Sequence, residues 1–92
     1  MKKLLITLVS AFLLPLAAQQ VTAEEEFTGI VESRPESTAG TWVIGGRSIE
    51  VTESAELDEE DGPLSVGACA EVDIENGVVE EIESEPDEEC QG

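Results

Sequence analysis

The residues of this chain whose types could do chemistry are mostly carboxylates: 22 Asp and Glu stand against 4 Lys and Arg, and there is no His. Carboxylates serve as general acids and bases, or as oxygen ligands for hard cations such as Ca²⁺. The first use needs a sheltered pair whose pKa values are driven apart. With so many acids, adjacency in the sequence selects no such pair. Ser33, Ser37, Ser48, Ser54, Ser65 and Ser84 have no His to activate them, which excludes the familiar hydrolytic triad. The expectation is a protein that is not an enzyme.

Oxygen-ligand chemistry has two candidate places. One is Asp58-Glu59-Glu60-Asp61 beside Gly62, and the other is the tail at residues 85–89. Neither has EF-hand spacing, so weak Ca²⁺ binding at Asp58, Glu59, Glu60 and Asp61 stands beside the plainer reading of solvated acidic loops that maintain solubility. No other cofactor is implied. Cys69 and Cys90, the only two cysteines, lack Cys-x-x-Cys spacing and a His to share a metal, so they are read as one disulfide. The net charge of -18 removes any basic stripe for phosphate backbones and excludes nucleic acid as a partner. Arg34, Trp42 and Arg47 are the non-acidic residues offered as a candidate ligand face, Trp42 being also a candidate for the core.

The start of the chain reads as an address. Met1-Lys2-Lys3 is a short basic stretch, residues 4–14 are an apolar run broken only by Thr7 and Ser10, and Pro15 ends the helical pattern. Val21-Thr22-Ala23 supplies small residues for cleavage after Ala23, so residues 1–23 are read as a helical signal peptide. The apolar run is shorter than the roughly 20 residues that a membrane-spanning helix requires. The mature form is therefore expected in the periplasm or outside the cell, without a membrane span. Both lysines would leave with the signal, making Arg34 and Arg47 the remaining side-chain cations.

Beyond residue 23 the pattern is one of short alternating runs between Gly, Pro, Asn and Ser clusters, the signature of an all-β fold. Residues 26–33, 41–44 and 47–52 are predicted strands. Gly45-Gly46 suits a two-residue turn that places Trp42 opposite Ile49 and Gly40 opposite Val51. Residues 55–61 are read as an irregular acidic turn. Residues 68–74 and 78–84 then form a second hairpin. For it a three-residue loop, Glu75-Asn76-Gly77, aligns Ile74 with Val78 and Ala70 with Ile82, given a bulge near Val79 and Glu80. Glu71, Asp73, Glu81 and Glu83 fall on one outer surface. Five strands across residues 24–85 suit a small barrel of the oligonucleotide/oligosaccharide-binding type, with an open antiparallel meander as the alternative. The acidic tail, residues 86–92, is tied back by the disulfide.

Several segments are similar to a known family. Thr28-Gly29-Ile30-Val31-Glu32-Ser33-Arg34-Pro35, Gly40-Thr41-Trp42-Val43-Ile44-Gly45-Gly46-Arg47, Gly62-Pro63-Leu64-Ser65-Val66-Gly67-Ala68-Cys69 and Glu81-Ile82-Glu83-Ser84-Glu85-Pro86 resemble the bacterial exported domains grouped as domain of unknown function 5666. The resemblance covers nearly all of the chain beyond the signal. It implies a small barrel-like β domain, often exported, and it brings no catalytic residues. This chain is more acidic than that family leads one to expect. The functional expectation is a monomeric module that binds another protein or an envelope component, with weak Ca²⁺ binding as the alternative.

Overall fold

The computed structural model describes residues 23–91, and they form an all-β domain. The segment assigned to the signal peptide, up to residue 22, lies outside the described residues. Six strands follow in chain order: β1 (Glu24–Ser33), β2 (Gly40–Ile44), β3 (Arg47–Val51), β4 (Glu56–Asp58), β5 (Cys69–Glu75) and β6 (Val78–Glu85). A 3-10 helix, Asp87–Cys90, comes last. Among the described residues no helix is long and apolar enough to cross a membrane.

Both hairpins turn on residues that accept positive φ. Gly45 and Gly46 have φ of 59° and 80°, and the turn they make sets Trp42 opposite Ile49 and Gly40 opposite Val51, as the sequence pattern requires. The β5–β6 turn differs from the expected three-residue loop. Asn76 and Gly77 (φ 52° and 83°) make a two-residue turn, so Glu75 stands opposite Val78 and Ile74 opposite Val79. Glu80 is then left out of the ladder as a bulge. The pairing resumes with Asp73 opposite Glu81, Val72 opposite Ile82 and Ala70 opposite Ser84. The twist preference of Asn-Gly selects the tighter turn, and the bulge restores the apolar alignment that this turn alone would lose.

The acidic connection is also more ordered than its sequence indicates. It contains β4, whose Leu57 stands opposite Ile82 in a parallel pairing with β6. Six strands therefore replace the expected five, in the order β3-β2-β1-β5-β6-β4. With β1 in the interior of the order and β4 parallel to β6, the sheet is not the simple antiparallel meander. No pairing joins β3 to β4, so the ladder is open at both ends.

β1 holds the two halves together. Its first part, from Glu24 to Ile30, pairs with β5, and Val31 and Ser33 pair with β2. Gly29 lies where β1 passes the β2–β3 turn. A Cβ there would stand 2.6 Å from Gly45 Cα and 2.8 Å from Gly45 N, so only glycine permits the crossing. The inner side of the sheet seals Val31, Trp42, Ile44, Ile49, Val51, Leu64, Ala70, Val72, Val79 and Ile82 into one cluster. Trp42 is fully buried, and its indole N–H donates to Thr38 O at 2.9 Å. Large side chains sealed in this way contribute about 1.5–3 kcal/mol each.

Candidate functional site

Alternation along each strand means that a buried inner set implies a second set pointing outward. On β5 and β6 the inner set is Ala70, Val72, Ile82 and Ser84. The outward set is Glu71, Asp73, Glu81 and Glu83, as expected from the sequence, and each is partly buried by its neighbours. Register stacks these acids across the strands. Glu26 of β1, Asp73 of β5, Glu81 of β6 and Glu56 of β4 form one row. Glu71, Glu83 and Asp58 form the next, beginning at Thr28 on β1. Glu24 opposite Glu75 extends the grid at one end, and Glu85 opposite Cys69 extends it at the other.

Like charges directly opposite one another on a sheet are destabilising, and this face is built from them. Partial burial pushes Glu71 up to about 7, helped by the hydrogen bond that its protonated carboxyl donates to Glu26 and by the charges of Glu26, Asp73 and Glu85. Asp73 is raised by burial and then by Glu26, Glu81 by burial and then by Glu56, and Glu83 by burial and then by Glu85. Asp73 Oδ1 is buried without a hydrogen-bond partner. Leaving a buried acceptor unsatisfied is costly, so this oxygen favours a proton or a cation beside it.

Three sets of acids bring carboxylate oxygens within 4.8 Å of one another: Glu26 with Glu71 and Asp73, Asp58 with Glu81 and Glu83, and Glu71 with Glu83 and Glu85. Oxygens so spaced can share one hard cation, since Ca²⁺ takes six to eight oxygens at about 2.3–2.6 Å and tolerates irregular geometry. Acid–base catalysis would need a substrate cavity at the perturbed pair. The open depression at this end of the sheet reaches Glu24, Glu26, Asp73, Glu75 and Glu80 but not Glu71.

The residues singled out from the sequence are distributed differently. Of Asp58-Glu59-Glu60-Asp61, Asp58 joins the grid, while the others shape the β4–β5 connection. Glu59 accepts the Leu64 N–H at 2.8 Å, Asp58 accepts the Glu60 N–H at 3.0 Å, and the Asp61 N–H donates to Ser84 Oγ at 3.2 Å. Arg34 and Trp42 do meet, the guanidinium lying 4.2 Å over the ring. Trp42 is core, and Arg34 donates to the carbonyls of Leu64 and Pro35 at 2.8 and 2.9 Å. Arg47 is elsewhere, 4.1 Å over Phe27 and paired with Glu25 at 2.6 Å. Cys69 and Cys90 form the expected disulfide.

Glu24, Glu26, Glu56, Asp58, Glu75 and Glu85 are the grid members that the sequence pattern of the second hairpin does not place there. Glu26 was legible in principle, because the alternation of Glu24, Glu26 and Thr28 continues the strand pattern backward. Glu56 was not, since parallel pairing of a three-residue strand leaves no local signal. Comparison with protein-family models, with curated proteins and with solved structures finds no match to this chain. The family resemblance therefore rests on the segments quoted for it.

Proposed function

We propose that this chain is an exported, non-enzymatic β domain that binds cations on its carboxylate-lined outer face, with a divalent ion such as Ca²⁺ as the ligand class the geometry favours. The observation that carries this reading is the register itself. Acids stand opposite acids across β1, β5, β6 and β4, with the unpartnered Asp73 Oδ1 among them. A cation shared by Glu26, Glu71 and Asp73 would neutralise repulsion that the sheet otherwise bears, so binding and stability are coupled. In this reading the ion sits on the strands, Asp58 included, rather than among Glu59, Glu60 and Asp61. An exported location, a barrel-like closure of the sheet and kinship with the exported-domain family belong to the same proposal and draw their support from the sequence.

The test is calorimetry of the oxidised chain from Glu24 onward. Saturable heat with Ca²⁺ at submillimolar to millimolar concentration is expected, in the range of extracellular calcium modules. Glu71→Gln with Asp73→Asn should remove it, and neutralising Glu59, Glu60 and Asp61 should not. A titration flat to several millimolar would overturn the divalent reading. The second reading, a basic protein or envelope component docked by charge complementarity, is favoured by the breadth of the grid. It predicts instead that a Lys-rich peptide binds and is displaced by salt.

A further inference from the structure

We infer that the Cys69–Cys90 disulfide is a releasable tether that holds an acidic segment, Asp87–Cys90, against an acidic sheet face, and that Cys90 is the sulfur at which an incoming thiol exchanges. The segment carries Asp87, Glu88 and Glu89, has no basic residue in its last turn, and buries none of its residues. It lies beside β1 and β5, at the end of the grid where Glu85 stands opposite Cys69. Its backbone hydrogen bonds are internal, from Glu89 N to Pro86 O and from Gln91 N to Glu88 O, and no side chain caps it. Among the described residues no salt bridge reaches it. Charge repels the segment from the face and the disulfide retains it.

The two sulfurs are not equally approachable. Cys69 is 1 % exposed, whereas Cys90 is half-buried on the outer segment. A thiolate of a dithiol reductant therefore attacks Cys90 Sγ. The S–S bond breaks, the electron pair leaves on Cys69 Sγ, and that sulfur takes a proton from solvent. The reductant's second thiolate then displaces Cys90, which is protonated in turn. The dithiol ends as a disulfide, and the protein gains two electrons and two protons. Repulsion then moves the segment away and uncovers Cys69. A further consequence rests on the proposed cation binding: release takes three carboxylates away from the face.

Thiol trapping reads the release without reference to cations. The oxidised chain is treated with dithiothreitol under native conditions, alkylated with iodoacetamide and followed by mass spectrometry, with hydrogen exchange measured in parallel. Alkylation of both Cys69 and Cys90 is expected, with the amides of Val72 and Ile82 still protected. A Glu-specific protease should cut at Glu88 or Glu89 only after reduction. Cys90→Ser should show the same cutting and an alkylated Cys69 without any reductant. Cys69 staying unmodified in the reduced or Cys90→Ser protein would overturn the tether. So would loss of core protection on reduction, because the bond would then be a global staple. Loss of Ca²⁺ heat with release intact would bear on the cation reading alone.

Discussion

The outward-facing positions of the two hairpins follow different rules. On β2 and β3 they are Thr41, Val43, Ser48 and Glu50, and the one acid among them accepts a hydrogen bond from the Thr41 hydroxyl. On β5 and β6 they are Glu71, Asp73, Glu81 and Glu83, stacked acid against acid. Both hairpins need a wet outer face to match their buried inner face, and the first shows that one acid in four positions suffices. The composition alone would be served by spreading charge over both. Concentrating it on one hairpin and on the strands flanking it, at a cost in repulsion, is the feature on which the proposed cation binding rests.

The contrast breaks most completely if the first hairpin is dislodged. Gly29→Ala would force a Cβ into the backbone of Gly45, which cannot give way as a flexible side chain could. The expected outcome is loss of the cooperative thermal transition. Trp42→Ala removes the largest fully buried side chain and should cost about 3–5 kcal/mol, a large fraction of the total for a domain this small. A melt that hardly moves in either variant would show that the first hairpin is not what anchors β1.

Relieving the acid hairpin should act in the opposite direction. Glu71→Gln or Asp73→Asn removes one member of a like-charged cross-strand set, and each should stabilise the calcium-free protein at neutral pH by about 0.5–1 kcal/mol. Each should also abolish the rise in melting temperature produced by Ca²⁺. Glu50→Gln on the first hairpin should do neither. Equal effects from Glu50→Gln and Glu71→Gln would erase the distinction between the two hairpins.

Proton linkage gives a further test on the same face. Glu71 has an ordinary value of 4.5 and stands near 7 in the fold, with Asp73, Glu81 and Glu83 raised as well. The folded state therefore binds these protons more tightly than the unfolded chain. The resulting stability is fully present below about 4.5, declines as pH rises towards 7, and is gone above it. Melting temperature should fall across that interval, and Ca²⁺ should restore it most above neutrality. A melting temperature that instead rises steadily from pH 4.5 to 7 would contradict the raised values.

How much of this was legible in the sequence depends on whether the information was local. The Gly45-Gly46 hairpin and the shared outer face of Glu71, Asp73, Glu81 and Glu83 follow from alternation and turn chemistry. For the β5–β6 turn, alternation with a bulge near Glu80 is compatible with a three-residue loop as well as with the two-residue turn that forms; only the twist preference of Asn76-Gly77 separates them. β4 leaves no local signal because a three-residue parallel strand is defined by β6, a partner distant in sequence. For the same reason the sequence does not divide the 58–61 acids: register sets Asp58 beside Glu81 and Glu83, the Glu59 carboxylate accepts the Leu64 N–H, and at Asp61 it is the backbone N–H that donates to Ser84 Oγ.

The smallest effect sharpens the contrast from the side of an acid that does have a partner. Glu25 lies on β1 beside the grid member Glu26, yet the Arg47 guanidinium hydrogen-bonds to it and its charge holds the Glu25 carboxyl below the usual range. Arg47 also lies over Phe27. Arg47→Met retains an apolar cover for that ring and removes the cation. An exposed pair of this kind contributes little, so the melting temperature should barely change. The titration of Glu25, followed by carboxyl NMR, should nonetheless move upward to the ordinary carboxylate range, while that of Glu71 stays near neutrality. If Glu71 moved with Glu25, Arg47 would be acting on the whole grid, and the acid face would not be the unpartnered surface that its register makes it.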